Sequence, residues 1–400
     1  MTALIAQETA RRFGFLQGRT PLGTRKFHRR PIVSETDMNG SHGRPPHASP
    51  DAGTTLLDPP GVEKRNGHPR DVSGEERPRI LTKEERPSTG PSRIRVTAVV
   101  PATDDPLTLT RCIQSVHAAV DGPEELIVVQ VPAGSGPATA RNVGSADASG
   151  DVLAFLDSDV EVHPDAFRRI RRAFEIDPRV TAVFGSYDDT PEGKGVVSTF
   201  RNLLHHYVHQ SAAGEDATTF WAGLGAVRRD AFVAIDGFDG ERFRKSSVED
   251  IDFGMRLRAA GAKIVLDPEL QGRHLKIWTF RAMVRTDFAR RGVPWIRILL
   301  DSRTSSTALN LAWRHRISAA ASVLLALALP ARRPGLAAVS TATLVALNHP
   351  FYRLLARTRG VFGAVSGVAL HAVHHLAAVA SVPVGVEEHV VSRLRRRRAS

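Results

Sequence analysis

Two acidic segments and one histidine have the types and spacing that could perform chemistry. Asp157-Ser158-Asp159 directly follows the apolar run VLAFL. Two carboxylates at a strand end can share one hard divalent cation, Mg²⁺ or Mn²⁺. Phosphate oxygens of a substrate often complete the coordination shell of such a cation. Such an ion is a Lewis acid that would neutralise a leaving diphosphate. The alternative is a helix cap plus a solvated turn acid, because D-x-D occurs often by chance. The position after a buried strand favours the metal site.

The second acidic segment is Glu249-Asp250, at the start of a predicted helix about ninety residues later. One of the two could be a general base that takes the proton of an attacking hydroxyl group. They could also be ordinary first-turn acids, which a helix N-terminus stabilises. Asp252 is a weaker candidate base. His274, after the run AKIVLDPEL, could bind a metal or a diphosphate, or be structural.

The elements that must position these residues follow from hydrophobic patterning. Strand-like runs alternate with helix-like runs from Arg93 onward, which predicts an α/β domain with a largely parallel sheet. Ligands of such sheets bind beyond the carboxyl ends of the strands, where Asp157 and Asp159 stand. The predicted strands are RIRVTAVVP, ELIVVQV, VLAFLD, TAVFGSY, TTFWAGLGAVRR and AKIVLDP; the predicted helices are PLTLTRCIQSVHAAV, PATARNVGSADASG, AFRRIRRAFEI, STFRNLLHHYVHQ and VEDIDFGMRLRAAG.

The two ends of the chain differ from this central part. Residues 1–92 are rich in Pro, Gly, Arg and Ser, and we expect them to be mostly disordered. Residues 276–316 contain aromatic residues alternating with arginines, typical of an interfacial helix or of a surface helix packed on the domain. The apolar runs within 317–384 predict two or three transmembrane helices. Residues 385–400 contain RLRRRR at 393–398, a polybasic tail expected on the cytoplasmic side.

Composition narrows the class of protein further. The chain has 400 residues, a formal net charge of +12 and one cysteine, Cys112, which excludes an intramolecular disulfide. A basic balance favours phosphate-bearing partners. Nucleic acid is not expected, because no recognition helix or aromatic platform is visible. No secretory signal is recognisable at the N-terminus, so we expect a multi-pass protein of the cell membrane with a cytoplasmic catalytic domain.

The order of these motifs resembles glycosyltransferase family 2 with its GT-A (Rossmann-like) nucleotide-sugar domain, over 93–275. The segments involved are VTAVVPATDD, GPATARNVGSADASGDVLAFLDSDV, WAGLGAVRRDAF, GFD and SVEDIDFGMRLRAAGAKIVLDP, followed by His274. Members are inverting enzymes that use Mg²⁺ or Mn²⁺ and nucleotide-diphospho-sugars. The resemblance implies a nucleotide-sugar donor and a hydroxyl acceptor, and the membrane segments suggest a lipid-linked or envelope glycan.

The resemblance also implies a role for each matching residue. Metal binding falls to Asp159, with help from Asp157 and from His274. The expected base is Asp250, with Glu249 beside it on the acceptor side. The remaining implied roles are donor binding by Pro101, Thr103, Asp104, Asp105, Arg141, Asn142 and Asp157, and acceptor binding by Trp221 and Gly223.

The chain departs from the family pattern after its second predicted strand. Typical members have an acidic V-D-D-x-S loop there, whereas this chain continues IVVQVPAGSGPATARN without an acid. This difference supports an alternative function, a membrane-anchored GT-A-fold binding protein that lacks catalysis. The family's Q-x-x-R-W motif is also incomplete, since Arg291 and Trp295 have no matching Gln, which favours single transfer over polymerisation. A sugar nucleotidyltransferase would need a Gly-rich loop where PATDDPL stands.

Overall fold

The computed structural model describes residues 79–85, 93–104, 106–130, 135–212, 217–302 and 313–399. All of them belong to one compact unit, 71–400. The expectation of disorder for 1–92 lies outside the described residues, except at 79–85, which form a strand. Asp105 also lies outside them.

In the described part of the chain, eight strands form one sheet in the order β1-β3-β2-β4-β7-β6-β8-β5. The strands β2 and β4 are completely buried, as expected for β-branched and apolar runs in the middle of a sheet. The strands are β1 Arg79–Glu85, β2 Val96–Pro101, β3 Glu125–Gln130, β4 Val152–Leu156, β5 Val160–Val162, β6 Val180–Tyr187, β7 Leu224–Arg228 and β8 Lys263–His274.

The α/β class is confirmed, but the prediction of a largely parallel sheet is wrong. Strands β3, β2 and β4 are mutually parallel, as are β6 and β8. The strand β7 lies antiparallel between β4 and β6, and β1 and β5 are antiparallel edge strands. A sheet strand that follows the long helical stretch after β6 can enter in either direction, and hydrophobic patterning reports burial rather than direction.

The five helices predicted within the α/β domain are all present, whereas the helices Arg229–Ala234 and Val293–Ser302 were not predicted. For the run AFRRIRRAFEI the predicted and observed bounds coincide. The helices are α1 Leu109–Ala118, α2 Gly136–Ala146, α3 Ala166–Ile176, α4 Val196–Ser211, α5 Arg229–Ala234, α6 Glu249–Ala259, α7 Phe280–Arg285, α8 Val293–Ser302, α9 Trp313–Ala328, α10 Pro334–Leu347 and α11 His349–Ala399, and Thr286–Gly292 between α7 and α8 is π-helical.

The C-terminal helices do not support two or three membrane spans. A span needs roughly 20 apolar residues, whereas α9 has 16 residues and α10 has 14. Among the described residues, one helix is long and apolar enough to cross a membrane, His349–Arg395. Its backbone leaves helical geometry at Arg359 and Gly360, which joins two helices at a kink. Length and composition also fit a packed helix, so they do not place it in a membrane.

The long helix α11 packs against the sheet domain through a second core. Phe351, Tyr352 and Leu355 contact Phe200 and Leu203 of α4. Helix α7 also belongs to this cluster, because Met283 is completely buried within it. One face of the amphipathic stretch packs on the domain, whereas Ile277 and Phe280 are exposed. Its association with a membrane interface stays a prediction.

Candidate active site

The D-x-D motif begins where β4 ends, beside β7. The backbone N–H of Asp157 donates to the carbonyl of Gly223, 3.1 Å away, so the antiparallel neighbour fixes the start of the motif. The side chains of Asp157 and Asp159 keep 34% and 25% of their surface exposed. Both carboxylates are therefore accessible beyond the carboxyl end of β4, where a ligand of such a sheet would bind.

Arg141 of α2 joins the D-x-D motif to the acidic start of α6. Its Nη2 lies 2.6 Å from Oδ1 of Asp157 and its Nη1 lies 3.0 Å from Oε1 of Glu249. The side chains of Arg141 and Glu249 are almost completely buried. The two acidic segments, ninety residues apart in sequence, therefore lie on the same side of the domain and share one guanidinium group.

Asp250 follows Glu249 and faces the segment before β7. Its Oδ2 accepts a hydrogen bond of 3.4 Å from the backbone N–H of Ala222. Burial, followed by the charge of Glu249, raises the pKa of Asp250 to about 7. A carboxyl group with a pKa in this range can both hold and release a proton near neutrality, which suits a general base.

His274, the last residue of β8, faces Asp159. Its Nε2 lies 3.5 Å from Oδ2 of Asp159, and its ring stacks on Tyr187 with centroids 4.1 Å apart. Burial opposes ionisation of Asp159, but the hydrogen bond and charge of His274 outweigh it, together with Lys276. The pKa of Asp159 therefore lies below its ordinary value.

A divalent cation fits Asp159 and His274 better than it fits Asp157. An imidazole nitrogen and a partly exposed carboxylate face each other, and both are ligand types that Mn²⁺ accepts. Asp157 instead has one oxygen committed to Arg141. No group of three His, Cys, Asp or Glu with metal-binding geometry occurs among the described residues. Ligands from a substrate diphosphate would suit such a partial set.

The remaining predicted residues divide into three groups. Trp221 and Gly223 lie beside Asp250 and Asp157, so the structure brings the expected acceptor residues to the acids. Pro101 is buried at the end of β2, with Thr103 and Asp104 progressively more exposed beyond it. Asn142 is the exception, because both polar atoms of its amide bond the backbone of Phe238.

The clustered histidines of α4 and α11 make packing contacts. Nδ1 of His206 lies 2.7 Å from the carbonyl of Tyr187, and Nδ1 of His209 lies 2.9 Å from that of Gly185. Burial lowers the pKa of His209 to about 4, so the ring is neutral. In α11, His371 bonds the hydroxyl of Tyr352. The hydrogen bonds of His206 and His209 therefore join α4 to β6.

Two residues near the site were missed by sequence reasoning, Asn202 and Tyr187. Oδ1 of the buried Asn202 lies 2.5 Å from Nδ1 of His274. Tyr187 ends β6 and covers the ring of His274. Neither belongs to a recognisable motif, since Asn202 stands inside a helix and Tyr187 inside an apolar strand. Only the neighbourhood of β6, β8 and α4 in space reveals them.

Part of the chain is similar to known glycosyltransferases. Residues 116–235 match the family model described as "Glycosyl transferase family 2". Two curated relatives from Mycobacterium tuberculosis, strains CDC 1551 / Oshkosh and ATCC 25618 / H37Rv, are both described as pre-mycofactocin glycosyltransferase. Each is 29% identical over 206 residues, which covers 46% of this chain and 43% of the relative. The match thus spans less than half the length of these relatives.

Two solved structures are also similar. Mannosyltransferase PcManGT from Pyrobaculum calidifontis, in complex with GDP-Man and Mn²⁺, has a TM-score of 0.45 and 16% identity, covering 73% of this chain and 88% of its own. GalNAc-T7 with UDP, GalNAc and Mn²⁺ has a TM-score of 0.38 and 14% identity, covering 53% and 48%. The family match and the curated relatives together show that the central part of this chain, which includes 116–235, is similar to glycosyltransferases of family 2.

Proposed function

We propose that the protein transfers a sugar from a nucleotide-diphospho-sugar to a hydroxyl acceptor, with inversion at the anomeric carbon. The observation that supports this most directly is the guanidinium of Arg141, which contacts both Asp157 and Glu249. It brings a strand-end D-x-D motif together with the first turn of α6, which carries the candidate base Asp250 next to Glu249. These are the two halves of a single-displacement site.

Asp250 is the general base in this proposal. The acceptor oxygen forms a bond to the anomeric carbon while its proton moves to the carboxylate of Asp250. The bond from the anomeric carbon to the diphosphate oxygen breaks, and its electron pair leaves with the nucleoside diphosphate. Glu249 neutralises Arg141 and accepts from the backbone N–H of Ser247 at 2.8 Å, so it holds the start of α6 in place.

Asp159 and His274 would hold the metal ion, Mg²⁺ or Mn²⁺, with Asp157 beside them. The ion would supply Lewis-acid stabilisation of the charge that develops on the leaving diphosphate. The side chain of Asp157 also stays in contact with Arg141, whose positive charge lies next to the same region. The contact with Arg141 therefore holds the carboxylate of Asp157 in a fixed position beside the proposed ion.

Donor and acceptor would enter from different elements. Pro101, Thr103, Asp104 and Asp105 would form the donor loop after β2. Trp221 and Gly223 would line the acceptor side, next to Asp250. The altered loop after β3 leaves the identity of the nucleotide base open, and a donor screen would establish it.

A lipid-linked acceptor is supported by the surface of the C-terminal helices. Large apolar side chains are exposed on α9, α10 and α11, for example Leu327 at 61%, Val339 at 65% and Phe362 at 68%. Arginines follow at the end of α11. Exposed apolar surface next to a basic tail fits association with an anionic membrane, with the catalytic domain on the cytoplasmic side.

Donor turnover by the purified full-length protein tests the proposal. Nucleotide-sugars would be screened with Mn²⁺, with Mg²⁺ and with a chelator, and release of nucleoside diphosphate would be measured. We expect turnover with metal that is lost in Asp159→Asn and in Asp250→Asn and retained in the exposed-acid control Glu175→Gln. Donor binding without turnover under every condition would support the non-catalytic alternative, and turnover retained in both acid variants would refute the assigned site.

A further inference from the structure

The imidazole of His274 is held on more than one side by residues that no motif predicts. Tyr187 stacks against its face with an angle of 11° between the rings, and Asn202 contacts its Nδ1 at 2.5 Å. His274 is 4% exposed and Asn202 is 1% exposed. The ring therefore cannot reorient without disturbing the packing of β6 and α4.

The contact with Asn202 determines which nitrogen of His274 is protonated. An amide oxygen only accepts hydrogen bonds, so Nδ1 must donate its hydrogen to Oδ1 of Asn202. In a neutral imidazole the lone pair then lies on Nε2, the atom that faces Asp159 at 3.5 Å. The opposite amide orientation would place a donor against Nδ1, move the hydrogen to Nε2 and remove the lone pair from the side of Asp159.

We propose that Asn202 is a positioning residue, which fixes the tautomer and orientation of His274 so that Nε2 can bind the divalent cation together with Asp159. This inference rests on the proposed function, because it requires that a cation bind there. A ligating histidine usually donates its second N–H to a fixed acceptor, and loss of that acceptor typically weakens metal affinity by 10–100-fold. Here the acceptor is a buried amide.

Helix α4, which bears Asn202, is also held by an ion pair of Arg201, the residue before Asn202. Arg201 lies 3.0 Å from Asp287 of the π-helical segment, and Asp287 lies 2.8 Å from Nδ1 of His374 in α11. The side chains of Arg201 and Asp287 are buried, and that of His374 is mostly buried. The position of Asn202 therefore depends on the packing of α11 against α4, which connects the C-terminal helix to the metal site.

Binding of Mn²⁺ to the full-length protein tests the role of Asn202, with the affinity for the ion alone measured by titration. We expect Asn202→Leu to weaken Mn²⁺ binding by about tenfold or more. Asn202→Asp retains an acceptor at Nδ1 and should restore affinity. Thr199→Val removes a polar atom from the same buried helix without facing His274, so its affinity should equal that of the wild type. Turnover by Asn202→Leu should recover as the Mn²⁺ concentration rises.

The tautomer can be observed without activity. In protein labelled with ¹⁵N-histidine and saturated with Mg²⁺, the His274 signals are identified by their loss in His274→Gln. We expect a hydrogen on Nδ1 and none on Nε2, because the cation takes the place of the hydrogen that Nε2 otherwise directs at Asp159. A hydrogen on Nε2, or unchanged Mn²⁺ affinity in a folded Asn202→Leu protein, would overturn the inference and leave the proposed function standing. A wild-type protein with neither Mn²⁺ binding nor metal-dependent turnover would overturn both.

Discussion

Arg141 and Glu249 form a buried ion pair, with Nη1 and Oε1 3.0 Å apart and side-chain exposures of 4% and 5%. The pair links α2 to the first turn of α6, 108 residues apart in sequence. Because Arg141 also contacts Asp157, one guanidinium group determines the spacing between the D-x-D motif and the candidate base. Its removal should therefore affect both stability and catalysis.

Arg141→Met is expected to lower the free energy of unfolding by about 3–5 kcal/mol, because it leaves the buried carboxylate of Glu249 without a partner. Denaturant unfolding measures the change. Arg111→Met provides the matched control, since Arg111 forms ion pairs at the surface, and it should cost no more than about 1 kcal/mol. Equal losses in the two variants would contradict the structural role of the buried pair.

The pH dependence of transfer should follow the ionisation of Asp250. Burial raises its pKa to about 7, and a general base must be ionised to accept a proton. We therefore expect kcat/KM to fall about tenfold per pH unit below pH 7 and to level off above it. Initial rates between pH 5 and pH 9 measure this profile, and a flat profile across pH 6–8 would exclude Asp250 as the base.

Ionisation of Asp250 should also lower the free energy of unfolding of the folded protein at neutral pH and above. Between the ordinary pKa of an aspartate, about 3.9, and the raised value, the folded protein binds the proton that the unfolded chain has lost. The free energy of unfolding therefore decreases as pH rises through this window. Asp250→Asn should be more stable than the wild type at pH 8, and the difference should disappear below about pH 4, as thermal unfolding at both pH values would show. A less stable variant at pH 8 would contradict this sign.

The pair Arg201–Asp287 should behave as a buried unit. Asp287→Leu leaves Arg201 uncompensated, so we expect a loss of about 3–5 kcal/mol, much of it recovered in the double variant Arg201→Met/Asp287→Leu. Burial opposes ionisation of Asp287, but Arg201 and His374 outweigh it and hold its pKa well below the ordinary value. Its stabilisation is therefore complete above about pH 4 and is lost as pH falls further. Additive losses in the double variant would argue against the pairing.

Gly223→Ala tests the proposed acceptor side. A Cβ atom at Gly223 would lie 2.5 Å from the indole ring of Trp221, so the ring must move. We expect a higher KM for the acceptor and little change in the affinity for the nucleotide-sugar donor. Gly195→Ala is the control, because a Cβ atom there meets nothing within 4 Å. A change in donor affinity alone would place Trp221 on the donor side instead.

Local pattern was sufficient for most elements of the domain. The run VLAFL is apolar throughout and forms the buried strand β4, so the position of Asp157 and Asp159 at a strand end was predictable. The run AFRRIRRAFEI has helical periodicity and begins and ends where predicted. Both features depend only on residues within one helical turn or one strand. The spacing of apolar residues in the sequence therefore predicts them.

The partners of the site residues depended on long-range packing. Arg141 was expected near the nucleotide, yet it lies between two acidic segments, and Asn142 beside it binds the backbone of Phe238 instead. The contacts of His371 and His374 in α11 likewise depend on where that helix packs. No local pattern specifies which helix faces which strand.

The sequence by itself determined the alternation of strands and helices, the acidic strand end and the resemblance to a glycosyltransferase family. Only the tertiary structure decided that β7 runs antiparallel beside β4, that Asn202 meets His274 and that one C-terminal helix rather than three has the length of a span. The physical reason is that hydrophobic periodicity records how strongly each residue is buried. Strand direction, side-chain partners and helix length depend instead on which distant segments satisfy each other's backbone and polar groups.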